Sequence, residues 1–261
     1  MRSLSEIMAG LQTIPDGDGE IYDAPEGEIC PKCKGAGWLS LDVPLGHPSF
    51  GRLFKCECSL QTDERQRQRD MRRLSQLDGL EEKTFDSFEA DSPELLRALH
   101  TMQAYSDSLD GWVVLTGPCG TGKTHLAAAV ANATLAKSQR TVMFTVVPDL
   151  LDHLRATFDP NRGVDYDERF NAIRNTFLLV LDDIGTENAT PWAREKLYQI
   201  INHRYNERLP TVITTNQRED AIDERILSRM FDTQLSKRIT LNTEDYRRRG
   251  DPNYVRGRRR K

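Results

Sequence analysis

The run Gly117, Pro118, Cys119, Gly120, Thr121, Gly122, Lys123, Thr124 constrains this chain more than any other stretch of it. Glycines let the backbone curl so that N–H groups point inward at an anion, the lysine reaches phosphate oxygens, and the final hydroxyl suits Mg²⁺. The flanks agree. Trp112, Val113, Val114 and Leu115 form a β-prone run before the loop, and Thr124, His125, Leu126 and the alanine-rich stretch to Leu135 read as helix. Strand, glycine loop and helix in that order make a nucleotide the expected ligand. His125, in the first turn of the helix, is grouped with the nucleotide-binding residues, whereas Cys119 occupies a variable position and reads as a small filler.

The rest of the chain from Thr84 alternates in the same way. Apolar, β-prone runs cover Trp112 to Leu115, Val142 to Val147, Phe177 to Leu181, Thr211 to Thr215 and Arg238 to Leu241. Helical patterns lie between them, near Lys123 to Lys137, Asp149 to Phe158, Pro191 to Arg208 and Ala221 to Met230. Such alternation predicts an α/β fold, a five-stranded parallel sheet covered by helices on both faces.

Three further motifs follow the loop in order. The continuous apolar run from Phe177 ends in Asp182 and Asp183, which predicts a buried strand delivering carboxylates to the sheet edge where open α/β sheets bind ligands. Asp182 would hold Mg²⁺ and Asp183 could polarise an attacking water. The next strand ends at Asn216, placed to touch a γ-phosphate or position that water, although an Asn after a strand is also an ordinary turn residue. Arg225 and Arg229, at i and i+4, share a helix face and could stabilise transition-state charge at a neighbouring subunit's phosphate, or sit at the surface paired with Glu224.

Together the loop, the Leu179-Val180-Leu181-Asp182-Asp183 strand, the Thr214-Thr215-Asn216 ending and the Asp223 to Arg229 segment resemble the AAA+ ATPases of the DnaC/DnaI/IstB group, bacterial helicase loaders and their transposition relatives. The helix from Trp192 through Tyr205 and Asn206 is similar to the one preceding that group's sensor strand. The resemblance spans Thr84 to about Arg248. It implies an AAA+ core without a helical lid, ATP with Mg²⁺, self-association in which a neighbouring protomer completes the ATP site, single-stranded DNA, and a DnaB-type replicative helicase as partner. By the same resemblance Asn216 matches sensor 1, Arg229 the arginine finger with Arg225 as second candidate, and Thr84, Phe85, Asp86 and Phe88 the segment near the adenine. Asp183 departs from the usual Glu by one methylene, which points to slow hydrolysis. Only twenty residues follow Leu241, too few for the helical lid of many AAA+ proteins.

Outside the core, Cys30, Cys33, Cys56 and Cys58 bring two close thiol pairs together over an intervening stretch rich in Gly and Pro. Four thiolates suit a tetrahedral Zn²⁺, with reduced structural cysteines or a redox pair as alternatives, and His47 as a loop residue. Residues 1–60 are expected to form this stapled module on an acidic arm, 61–83 a solvated linker helix, 84–245 the ATPase domain and 246–261 a basic tail. The ends differ in charge: seven acids and one base up to Cys30, eight bases against Asp251 from Tyr246 onward. Tyr246, Tyr254 and the tail arginines could bind nucleic acid or form a plain solubilising end. The mixed polar start, five cysteines and absence of a long apolar run favour a cytoplasmic protein outside the membrane. The leading reading is a helicase loader delivering the helicase onto single-stranded DNA; alternatives are an IstB-type transposition helper and an ATP-liganded, non-catalytic adaptor.

Overall fold

A computed structural model describes residues 13–14, 29–62, 75–138, 140–156, 163–185 and 190–248. The chain divides into two compact units, Met1–Arg69 and Asp70–Lys261. In the first, strand β1 (Thr13–Ile14) pairs in parallel with β2 (Trp38–Leu41), and β2 pairs antiparallel with β3 (Leu53–Lys55). Its core consists of Cys30, Cys33 and Cys56 with Cys58, Ala36 and Leu39 packed against them. So small an apolar core needs a staple.

The second unit is built on five parallel strands, β4 (Trp112–Thr116), β5 (Val142–Val146), β6 (Leu178–Asp182), β7 (Thr211–Thr215) and β8 (Ser236–Thr240), in the order β5-β6-β7-β4-β8. Strands β4, β6 and β7 are buried on both faces, which is why they read as unbroken apolar or threonine-rich runs. Their side chains alternate between two cores. Val113, Leu115, Phe144, Leu178, Val180 and Val212 face helices α1 (Pro93–Ser108) and α2 (Lys123–Lys137). Trp112, Val114, Met143, Leu179, Leu181 and Ile213 face α3 (Val147–Ala156), α4 (Gly163–Asn175), α5 (Pro191–Asn206) and α6 (Glu224–Met230).

The sequence pattern leaves out α1 and α4. Helix α1 carries a start signal all the same: Ser92 caps it by accepting from Leu95 N–H at 3.2 Å, and Pro93 fills the first turn where its missing N–H costs nothing. Helix α4 is mostly polar, and its buried residues Tyr166, Phe170 and Ile173 make a stripe about one turn apart that is too thin to stand out. Strand β8 is shifted two residues earlier than expected at its start and is mostly exposed, being an edge strand.

The sequence pattern makes 61–83 a solvated linker helix. Residues 63–74 lie outside the described residues, but 75–80 depart from that expectation. They form a 3₁₀ turn (Gln76–Gly79) whose Leu77 is buried in the α1/α2 core. Ser75 Oγ accepts from Phe144 N–H at 3.1 Å and Gln76 Oε1 from Val146 N–H at 2.8 Å, so this turn satisfies the outward N–H groups of edge strand β5. Among the described residues no helix is long and apolar enough to cross a membrane.

One buried cation braces the opposite end of the sheet from the glycine loop. Arg204 of α5 is fully buried, with Nε donating to Thr211 Oγ1 at 2.9 Å and its terminal nitrogens donating to the carbonyls of Arg174, Thr176, Phe177 and Pro210. Those acceptors lie at the end of α4 and at the starts of β6 and β7. Burial brings the Arg204 pKa down to about 9, which leaves it charged near neutral pH.

Candidate functional site

The glycine loop leaves β4 between β7 and β8, at the point where the strand order turns back on itself and open α/β sheets take their ligands. Crowding accounts for two of its glycines. A Cβ on Gly117, which has φ of 145°, would overlap the Leu241 carbonyl, and one on Gly122, φ of 92°, would lie 2.7 Å from the Phe88 ring. Lys123 is buried and its Nζ donates to the carbonyls of Gly117 at 2.9 Å and Pro118 at 2.7 Å. Burial lowers its pKa, opposed by the negative charge of Asp183 and Asp182 nearby.

Asp182 ends β6, which β7 separates from the loop-bearing β4. Its carboxylate accepts from Thr124 Oγ1 at 3.1 and 3.2 Å and from Thr214 Oγ1 at 2.6 Å. Burial raises its pKa, the Thr214 bond works the other way, and the neighbouring Asp183 charge adds to the rise. Thr124 and Asp182 therefore present hard oxygen donors at one spot, a set that suits Mg²⁺. Asp183 turns the chain off the strand in a left-handed conformation, φ 57°, with its N–H held by Thr214 Oγ1 at 3.0 Å. Asn216 follows β7, the strand between β6 and β4, and its Nδ2 donates to the exposed Cys119 Sγ of the loop at 3.5 Å.

The loop opens onto a cavity of about 450 Å³ bordered by Phe88, Ser87, His125 and the residues Gly120 to Thr124. His125 Nε2 is 2.9 Å from the Thr84 carbonyl, and its ring meets Phe88 edge-on at 5.1 Å. Of the segment expected near a base, Phe88 borders the cavity; Phe85 packs into the α1/α2 core instead and Asp86 is exposed. Three contributions went unread in the sequence. Thr214 orients Asp182 and Asp183, and Tyr246 and Arg247, counted with the basic tail, border the same cavity. They belong to a 3₁₀ turn, Tyr246–Arg248, and Tyr246 N–H donates to the Gly120 carbonyl at 2.9 Å. Residues 249–261, Tyr254 included, lie outside the described residues.

Arg225 and Arg229 do share a face of α6, both stacked on Tyr198, at 4.2 and 4.9 Å from its ring. Neither borders the cavity. Arg225 pairs with Asp223 at 3.2 Å and Glu195 at 3.7 Å, not with Glu224. Arg229 is held by Asn202 Oδ1 at 3.0 Å, Tyr198 Oη at 3.2 Å and the Arg225 carbonyl at 2.8 Å.

In the first unit the four sulfurs of Cys30, Cys33, Cys56 and Cys58 lie within 4.8 Å of one another. Cys33 Sγ lies 3.4 Å from Cys58 Sγ, and Cys30 Sγ lies 3.8 Å from Cys56 Sγ. A Zn–S distance of about 2.3 Å gives a tetrahedron with edges of about 3.8 Å, so the set fits a structural zinc. The knuckle turns through Lys34 (φ 48°) and Gly35 (φ 85°), with Lys34 N–H bonded to the Cys30 carbonyl. Burial opposes the Cys33 thiolate, yet the N–H groups of Gly37 and Gly35 and the Cys58 thiol outweigh it and bring its pKa to about 7. His47 stays apart from the cluster in a local turn, accepting from Ser49 N–H through Nδ1 at 3.2 Å.

A parallel sheet of this order, with a glycine loop at its switch point and acids at the end of β6, one strand removed from the loop-bearing β4, defines a nucleotide-binding ATPase of the AAA+ type. The chain belongs to the family of IstB-like ATP binding proteins, which it matches over residues 50–253. It is 27% identical over 172 residues to the replicative helicase loader DnaC of Escherichia coli (strain K12), covering 64% of this chain and 69% of that protein. The replicative helicase loader DnaI of Bacillus subtilis (strain 168) is 31% identical over 123 residues, 46% of this chain and 38% of DnaI. In fold it is similar to a crystal structure of the DnaC helicase loader, with TM-score 0.52, 24% identity, and 62% of this chain matched to 97% of that one. The replication initiator DnaA bound to AMPPCP and single-stranded DNA gives TM-score 0.53 at 20% identity, 63% of this chain against 51% of that one.

Proposed function

We propose that the protein is a cytoplasmic, ATP-dependent loader that delivers a DnaB-type replicative helicase onto single-stranded DNA. The observation that carries this reading is the convergence of Lys123, Thr124, Asp182 and Asn216 around one loop, in a chain that resembles named loaders over most of its ATPase unit. Lys123 takes the β- and γ-phosphates. Thr124 and Asp182 hold Mg²⁺, which neutralises phosphate charge when bound. Asp183 polarises the attacking water, and Asn216 positions it. Arg229 serves a neighbouring protomer, supported by its place away from its own chain's cavity, with Arg225 as the second candidate. The short Asp183 side chain favours slow turnover, which suits a switch between assembled and released states.

Co-purification of the full chain with its host's replicative helicase tests the reading. A complex that forms with ATP and weakens with ADP is expected, and Arg229→Ala is expected to keep nucleotide binding while losing most ATP turnover. Duplex DNA binding with no helicase complex under either nucleotide would instead select an IstB-type transposition helper, a second reading motivated by the match to IstB-like ATP binding proteins.

The cysteine module is proposed to hold one Zn²⁺ and to serve as the partner-docking element. Elemental analysis is expected to give about one zinc per chain, with four thiols becoming titratable and the module losing its fold on chelation. Metal-free protein whose fold survives chelation unchanged would sink the zinc assignment.

A further inference from the structure

We infer that residues 242–248 form a strap that completes the nucleotide site in cis, with Tyr246 covering the purine base and Arg247 facing the phosphates. This rests on the ATP reading above. Strand β8 runs beside β4 and ends level with it, Thr116 opposite Thr240, so the chain leaving β8 emerges next to the glycine loop leaving β4. It is then tied down at successive points. Leu241 N–H donates to the Thr116 carbonyl at 2.7 Å, Asn242 N–H to the Glu94 carboxylate of α1, and Tyr246 N–H to the Gly120 carbonyl at 2.9 Å. Asp245 lies so close to Gly120 that a Cβ there would overlap its carboxylate. That carboxylate also accepts from Arg247 N–H at 3.0 Å, and Arg248 N–H bonds the Asp245 carbonyl at 3.1 Å, closing the turn that carries both side chains.

The chemistry of the wall matches a nucleotide. Phe88 and Tyr246 bring two aromatic rings to one cavity, where Lys123 and Arg247 supply positive charge. Arg247 is near enough for its charge to act on Lys123. Tyr246 is 48% exposed, so it stands at the mouth of the cavity rather than in the core. Stacking of one base on one ring is worth about one tenfold step in affinity. The strap thus assigns the start of the basic stretch to nucleotide rather than to DNA.

Titration of the full chain with a fluorescent ATP analogue separates these roles. Tyr246→Leu, which keeps apolar bulk and loses the ring, is expected to weaken binding about tenfold, while Tyr246→Phe stays near the parent. Arg247→Ala is expected to weaken ATP more than adenosine. Affinity for single-stranded DNA without nucleotide should be unchanged in all three. Equal ATP affinity for the Leu and Phe variants overturns the strap, as does a fall in nucleotide-free DNA affinity that matches the fall for ATP. A parent chain that fails to bind ATP at all overturns the ATP reading along with it.

Discussion

Lys123→Ala is expected to lower ATP affinity by roughly 100-fold or more and to remove any ATP-dependent complex with a helicase. The size follows from what the ammonium does. It is buried, and its two bonds to the Gly117 and Pro118 carbonyls aim it along the loop. A charge-assisted hydrogen bond contributes about 1.5–3 kcal/mol. Two of them to phosphate oxygens, in a site partly shielded from water, reach the two decades stated. Alanine also frees both carbonyls to solvent, so the loop loses its internal brace while the sheet beneath it stays intact. Calorimetric titration with ATP and Mg²⁺ measures the effect, with a thermal melt to show that the fold survives. Affinity within fivefold of the parent would mean that the phosphates sit elsewhere.

Arg204→Leu is expected to be the most damaging single change to stability, about 3–5 kcal/mol. The side chain is large and fully buried, and it donates to five acceptors that leucine cannot satisfy. Each acceptor left dry and unpaired costs about 1–3 kcal/mol, partly relieved by relaxation and by water entering the space. Arg204→Lys should recover only part of the loss, because one ammonium cannot fork between the starts of β6 and β7. For a unit of this size the leucine variant should melt about 10 °C lower. A melt within two or three degrees of the parent would show that the brace adds little.

These two residues differ in how well the sequence announces them. Lys123 stands in a loop whose spacing has one common use, so its chemistry follows from the order of neighbours. Arg204 is one of many arginines, and arginine is ordinarily exposed. Only the packing of α5 against the starts of two strands drives it inside. Thr214 is similar: a threonine in a β-prone run looks like a strand former, and its hold on Asp182 and Asp183 exists only once β6 and β7 lie side by side. The cysteines lie between these cases. Their spacing suggested a metal, and the fold brought all four sulfurs to within a tetrahedron's reach.

The sequence by itself determined the class of fold, the edge of the sheet where the glycine loop and the acids gather, and the residues proposed to meet phosphate and Mg²⁺. Those features are local: buried parallel strands must be continuously apolar, a glycine loop must curl, and a strand that ends in acids must deliver them to its tip. What only the tertiary structure decided is everything that depends on strand order. Placing β8 beside β4 puts Tyr246 and Arg247 against Gly120, far apart in sequence, and turns the beginning of a basic tail into a wall of the nucleotide cavity. The physical reason is that local propensity is set by neighbours along the chain, whereas pairing of parallel strands is set by which buried faces fit together.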